Sequence, residues 1–316
     1  MTAWNPLVKE KVLISSHPEK IMGYVYTSLA YLLWGFLALY WNSLNTVSSI
    51  EILAHRILWG FIFVVTIMII HSKKRLAFFT LLKEFKVNIK QFFYIFIASL
   101  AISSNWLIFI WAVNFGHIME ASLGLYITPI VSMILGAFIL KDKIQTGTLI
   151  SMLIAFLGVT VLTYDYGKIP WIAISLAITS GIYGLVKKYI KVDALIGMCI
   201  ETMMVTPFAL LILVLLQRSN KMFFGSDIHL SILLIGAGIL TVLPLLWFTE
   251  GAKRMTLTTI GFFQYITPTI TFLLGICFFG NSITLSQWFS FGFIWLSLAV
   301  FSLSSWKGKT KRWEKT

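Results

Sequence analysis

The sequence predicts an all-α integral membrane protein of ten transmembrane helices, arranged as two inverted five-helix repeats. Three observations predict it. The 316 residues are 58% apolar and 12% charged, with a mean hydropathy of +0.88; that is too little polar side chain to cover a water-soluble fold. Apolar runs of roughly 20 residues, enough helix to cross a hydrocarbon core about 30 Å thick, recur from end to end. The tetrapeptide Tyr-Ile-Thr-Pro occurs at 126–129 and again at 265–268, followed in both places by a glycine, Gly136 and Gly275. The same composition excludes a disordered chain, collagen, a coiled coil and a disulfide scaffold.

The ten runs are 23–42, 50–71, 91–113, 119–140, 147–164, 170–187, 194–216, 227–248, 257–279 and 285–305, the sixth being short. Cations fix their orientation. One side holds Lys9, Lys11 and Lys20 of the N-terminal tail and Lys73, Lys74, Arg75, Lys83, Lys86 and Lys90 of the second loop. It also holds Lys141, Lys143, Lys187, Lys188, Lys191, Lys253 and Arg254, and Lys307, Lys309, Lys311, Arg312 and Lys315 of the C-terminal tail. The opposite side has Lys168, Arg218 and Lys221, and Arg56 lies within a span. The positive-inside rule then puts both termini in the cytoplasm. The net charge of +13 is a topology signal and an attraction to anionic lipid, not a nucleic-acid patch. A polar tail ahead of a full-length first span argues against a cleaved leader.

The organisation expected is a cytoplasmic tail over 1–22, repeats over 23–164 and 165–305, and a basic cytoplasmic tail over 306–316. The two Tyr-Ile-Thr-Pro copies fall in spans four and nine. Five spans per unit is an odd number, so the second unit enters the membrane from the other side, the plan of secondary transporters. The helix rise of about 1.5 Å per residue puts Pro129 and Pro268 roughly 15 Å deep, near the midplane. Proline frees a backbone carbonyl there and can kink the helix, so the pair is the candidate hinge. Proline is common in membrane helices in any case; its recurrence within one motif is what points to function.

Ionisable groups at membrane depth cost about 2.5–3.5 kcal/mol each and should face the bundle interior. Glu51, His55 and Trp59 recur every four residues and share a face of span two. Arg56 lies about 100° around that helix. Two roles are open to it: a structural one, snorkelling or pairing with Glu51 or Glu120, or binding an anionic group such as a carboxylate. Glu201 has no lysine or arginine within a turn in sequence, and a buried carboxylate without a partner tends to hold a proton. It is the candidate for proton coupling, with a pairing to His55 or Arg56 as the alternative. Glu51, His55, Arg56 and Glu201 form the charge-coupling or gating set. Glu120 reads as a helix cap and Glu250 as part of a surface cluster with Lys253 and Arg254.

The candidate solute-binding set is Trp34, Asn105, Tyr126, Tyr183, Trp247, Gln264 and Tyr265. Aromatic walls with a few amides suit an amphipathic organic solute, with cation–π contact available to an amine. Trp41, Trp171, Trp288 and Trp306 read instead as interfacial belts. Cys199 and Cys277 lie within spans and read as apolar fillers. No metal-ligand spacing and no glycine-rich phosphate loop occurs, so no metal or cofactor is expected. The longest loop, 72–90, is too short for an ATP-driven domain. These features argue against an enzyme. The alternative, a membrane-embedded enzyme or assembly factor acting on lipid or cell-wall precursors, would need catalytic groups clustered at one face, and the ionisable groups are scattered in depth.

Several stretches resemble a known family: Tyr31-Leu-Leu-Trp-Gly-Phe36, Glu51-Ile-Leu-Ala-His-Arg-Ile-Leu-Trp59, Asn105-Trp106, Trp111-Ala-Val-Asn114, Glu120-Ala-Ser-Leu-Gly124, Glu201-Thr202 and Gly261-Phe-Phe-Gln-Tyr-Ile-Thr-Pro268. They are similar to the RarD type of the EamA family, in the drug/metabolite transporter superfamily, over roughly residues 20–305. The resemblance implies ten helices, a plasma-membrane location and secondary transport of small organic solutes by alternating access. Efflux of a metabolite or drug-like compound is expected on this resemblance alone. The partners implied are a small-molecule substrate and the lipid bilayer, with protons as the candidate coupling ion; homo-oligomer formation is left open.

Overall fold

The computed structural model describes residues 17–84, 89–278 and 284–313. Lys9, Lys11, Lys86, Lys315 and most of the expected N-terminal tail lie outside them, as does the side chain of Trp306. The described residues form helices: α1 (His17–Asn42), α2 (Ser49–Ile70), α3 (Ser72–Glu84), α4 (Ile89–Asn114), α5 (Ile118–Phe138), α6 (Thr146–Tyr166), α7 (Trp171–Lys187), α8 (Ala194–Arg218), α9 (Ile228–Arg254), α10 (Leu257–Gln264), α11 (Ile266–Cys277) and α12 (Leu285–Trp313). Side-chain caps start several of them. Ser48 accepts the Glu51 N–H at 3.3 Å, Asp227 the Leu230 N–H at 2.8 Å and Thr256 the Thr259 N–H at 3.1 Å, satisfying donors left free by the helix geometry.

Among the described residues, nine helical stretches are long and apolar enough to cross a bilayer, with Leu257–Cys277 taken as one. The tenth expected run is the 17-residue helix α7, shorter than the rest. Phe138, Leu153 and Phe208 are among many large apolar side chains left exposed on the bundle, as lipid contact requires. The chain is a multi-pass membrane protein.

Two features depart from the expected pattern. The second loop contains helix α3, whose Lys74 pairs with Asp193 at the start of α8. Span nine is two helices broken at Tyr265. Pro268 has no N–H for the Gln264 carbonyl and its ring crowds that position, so α10 stops at Gln264 and Pro268 sits in the first turn of α11. Pro129, in the same motif, is absorbed within a continuous α5. The companion threonines differ as well. Thr128 bonds back to the Gly124 carbonyl of its own helix at 2.7 Å, whereas Thr267 bonds across to the Tyr31 carbonyl of α1 at 2.8 Å.

The helices pack in a recurring scheme. If α1, α2, α4, α5 and α6 are matched with α7, α8, α9, α10–α11 and α12, each extensive packing pair maps onto another or onto itself: α1–α9 onto α4–α7, α2–α9 onto α4–α8, α5–α7 onto α1–α11, while α2–α8, α5–α10 and α6–α12 are self-matched. Helices α2 and α9 cross backbone to backbone. A Cβ on Gly238 would lie 2.4 Å from the Gly60 nitrogen, so the two backbones touch where each lacks a side chain. Similarly, a Cβ on Gly261 of α10 would lie 2.9 Å from the Pro129 carbonyl of α5.

Candidate functional site

The helix crossings leave a cavity of about 410 Å³ at the centre of the bundle, within the range of small-molecule sites. Its wall combines residues of both halves of the chain: Trp34, Trp41, Arg56, Asn105 and Trp106 from the first, Tyr183, Thr241, Phe248, Gln264 and Pro268 from the second. Aromatic rings form much of it. Trp34 contacts Tyr31 and Phe248 with ring centroids 5.2 and 6.0 Å apart, and Tyr183 stacks on Phe248 at 5.8 Å.

Arg56 supplies the charge on this wall. It lies one turn before Gly60, and Thr241 lies three residues past Gly238, so the close α2–α9 crossing brings them together. Arg56 Nε donates to Thr241 Oγ1 at 2.9 Å. The guanidinium sits over the Trp41 ring at 4.8 Å and the Trp106 ring at 5.6 Å; each such contact contributes about 0.5–2 kcal/mol. Trp41, read from the sequence as interfacial, also lines the cavity at the last turn of α1. Thr241 carried no signal in the sequence.

The amides divide. Asn105 lines the cavity, but its Nδ2 faces the Leu176 carbonyl, Thr179 Oγ1 and Ser180 Oγ, each at 2.9 Å, and so ties α4 to α7. Gln264 also lines the cavity, and its Oε1 is buried without a hydrogen-bond partner. A carbonyl oxygen in that state is costly unless something fills the space beside it.

Three expected residues lie elsewhere. Tyr126 packs edge-on against Phe291, and Tyr265, 0% exposed, sits with Met133, Val159 and Phe262 in the core between α5, α6, α10 and α12. Trp247 packs on the core but does not line the cavity. The motif repeat marks α5 and α10–α11 as related helices, but helical spacing alone does not say which face of each points inward. Of the two prolines, Pro268 lines the cavity and Pro129 stands behind it at the α5–α10 crossing.

The charged set is rearranged most. Glu201 does not lack a partner, and its partner is neither His55 nor Arg56. Lys187 Nζ donates to Glu201 Oε1 at 2.5 Å, with the two side chains 1% and 3% exposed. Tyr183 donates its hydroxyl to Glu201 Oε2 at 3.3 Å, so one tyrosine joins the cavity wall to this pair. The sequence places Lys187 among the loop cations; its i+4 spacing from Tyr183 is the signal that it can turn inward. Glu51 Oε1 accepts the Phe223 and Phe224 N–H groups, each at 2.9 Å. His55 stands 3.9 Å from Glu51, stacks on Phe224 at 4.6 Å and accepts the Trp59 indole N–H at 3.1 Å. Glu51 and His55 thus hold the α8–α9 loop and do not line the cavity. Glu120 accepts from the Tyr166 hydroxyl at 2.8 Å and the Ile172 N–H at 2.7 Å.

At the lysine-rich ends the helices are tied. Lys188 donates to the Ala252 carbonyl at 2.6 Å and also to that of Met255, and Lys253 donates to the Val192 carbonyl at 2.8 Å. The cavity extends the other way, to Trp41 beside the end of α1. A larger space of about 780 Å³ lies near the tied ends, walled by Lys143, Gln145, Thr256, Thr258, Phe262 and neighbours. None of the candidate residues faces it, and the chemistry gathers in the smaller cavity.

A sequence profile of the EamA-like transporter family matches residues 21–164 and again 168–303. The chain belongs to the EamA-like transporter family. Its relatives include the uncharacterized transporter YojE of Bacillus subtilis, 39% identical over 300 residues, covering 93% of this chain and 99% of that one. Protein RarD of Escherichia coli is 39% identical over 277 residues, covering 87% and 92%. An uncharacterized transporter of Vibrio cholerae is 36% identical over 88% of this chain and 91% of its own. A solved crystal structure shares the fold, with a TM-score of 0.67 and 16% identity over 92% of this chain and 98% of that one. This EamA-like chain is a membrane transporter, and each stretch matched by the family profile carries one Tyr-Ile-Thr-Pro copy.

Proposed function

We propose that the central cavity is the solute site of a secondary transporter that works by alternating access. The observation that carries this reading is the lining: a single space of about 410 Å³ is walled by residues of both family-matched stretches, Trp34, Arg56 and Asn105 facing Tyr183, Thr241 and Gln264. A site at the meeting of two related units is where secondary transporters bind solute.

In this reading ten helices span the membrane, α7 among them and α10–α11 as one, in two units over 23–164 and 165–305 of opposite orientation. The exchange of packing pairs between the halves and the repeated motif support it. The distribution of lysine and arginine supports cytoplasmic termini, and the family supports a plasma-membrane location. The tied lysine-rich ends then close the inner side, and the cavity faces outward. Pro268 and the break at Tyr265 are the hinge.

Solute movement draws on a proton gradient or on the solute's own gradient. Charge coupling is assigned to Glu201 with Lys187: a rearrangement of this buried pair would reach the cavity wall through the Tyr183 hydroxyl. Efflux of a small organic metabolite or drug-like compound is the proposed direction, supported by the family alone. The test is release from proteoliposomes loaded with a panel of organic acids, amines and neutral drugs, with and without a pH gradient. At least one class should leave about tenfold faster than from Trp34→Ala or Gln264→Ala vesicles, and Glu201→Gln should remove the effect of the gradient. A panel that leaves equally fast from all vesicles overturns the reading.

A further inference from the structure

Among the described residues, the cavity wall carries one cation, Arg56, with no counter-anion beside it. Arg56 gives Nε to Thr241 and makes no other hydrogen bond, and no carboxylate lies within 4.0 Å of it among the described residues. The carboxylates that could have neutralised it are engaged elsewhere: Glu51 by the Phe223 and Phe224 N–H groups, Glu120 by Tyr166 and Ile172, Glu201 by Lys187. The pairing with Glu51 or Glu120, one structural role open to Arg56 in the sequence, is not made among the described residues.

Its setting has a direction. Trp41 and Trp106 are placed to contact the guanidinium through their rings. Among the described residues nothing accepts from its terminal N–H donors, and such a fork matches a carboxylate in two parallel hydrogen bonds. A lone inorganic anion would leave the rest of the space empty against Trp34 and Phe248, walls that favour an apolar body. The Gln264 Oε1, buried and unpartnered, offers a second polar anchor to a donor on the same solute.

We infer that the cavity takes an organic anion, a carboxylate joined to an aromatic or apolar body, with Arg56 as the residue that selects its charge. This rests on the reading of the cavity as the solute site.

The test uses three probes on one skeleton: phenylpropionate, phenylpropionamide and phenylpropylamine. Each is titrated by calorimetry into the purified full-length protein in detergent. The acid should bind at least about tenfold tighter than the amide, and the amine weakest, as a charge-assisted pair in a desolvated site requires. Arg56→Gln should bring acid and amide within about twofold of each other. Arg56→Lys, which keeps the charge and loses the fork, should retain part of the preference. Trp34→Ala should weaken acid and amide together.

An amide or amine that binds as tightly as the acid, a preference that survives Arg56→Gln, or no binding of the acid at millimolar concentration overturns the inference. Equal binding of all three that is lost in Trp34→Ala overturns charge selection and leaves the cavity as the solute site. Binding of the acid that is unchanged in Trp34→Ala, Gln264→Ala and Arg56→Gln overturns the cavity reading itself.

Discussion

Lys187 and Glu201 form an ion pair of 2.5 Å between α7 and α8, with both side chains buried. Breaking a buried pair by removing one member leaves an uncompensated charge and costs about 3–5 kcal/mol. Lys187→Met and Glu201→Leu should each lower the thermal stability in detergent by about that amount. The double variant should recover most of the loss, because two apolar groups of similar size leave no charge behind. Melting curves of the two singles and the double close this cycle.

The α2–α9 crossing sets the position of Arg56. A Cβ at Gly238 would meet the Gly60 nitrogen and the Trp59 backbone at 2.4 and 2.5 Å. Backbone cannot move aside as a flexible side chain can. Gly238→Ala should therefore destabilise by about 1–3 kcal/mol and weaken solute binding by drawing Thr241 from Arg56. Gly197→Ala, where the added carbon meets nothing within 4 Å, is the control: it should leave solute binding unchanged and hold or slightly raise the melting temperature.

The two prolines should not be equivalent. Pro268 sits at a broken helix and on the cavity wall, Pro129 in a continuous one. In Pro268→Ala the new N–H can bond the Gln264 carbonyl and favour one unbroken helix. Solute flux should fall several-fold while the melting temperature holds or rises. Pro129→Ala should change flux by less than about twofold. Flux from proteoliposomes, set beside melting curves, separates the two.

A carboxylate outside the spans gives an acid signature. Burial by itself raises the Asp193 carboxyl, but the hydrogen bond and charge of Lys74, the Leu195 N–H and the Lys253 charge outweigh it, and the net shift is downward. A carboxyl held low in the folded state adds stability above its unfolded value, about 3.9, and that stability is lost as pH falls through the folded value. The difference in melting temperature between the protein and Asp193→Asn should therefore be constant near neutrality and shrink below about pH 4.

The reach of the sequence can be stated residue by residue. Trp34, Arg56, Tyr183 and Gln264 were legible because charge, amide or aromatic groups deep in a span must face inward, and all four line the cavity. Tyr126 and Tyr265 do not line the cavity, because the repeat marks related helices without marking which face of each meets it. Lys187 reads in the sequence as a loop cation because it ends its helix, although its side chain is folded inward. Trp41 was hidden by the habit of tryptophan to mark interfaces. Thr241 carries no sequence signal, since its role comes from a helix crossing set by two glycines far apart in the chain. The break at Tyr265 and the continuity of α5 follow from different packing around the same four residues.

Thr128 offers the most direct test of alternating access at one cavity. It lines the cavity about halfway along α5, and its hydroxyl bonds only to its own helix. In a background with Cys199→Ala and Cys277→Ala, Thr128→Cys would be labelled with a membrane-impermeant thiol reagent from each side of the membrane in turn. Alternating access predicts reaction from the lysine-poor side in the resting protein. Lys188→Ala, which loosens the ties to Ala252 and Met255, should slow that reaction and open the same cysteine to the lysine-rich side. Reaction from one side only, at a rate Lys188→Ala does not change, would contradict it.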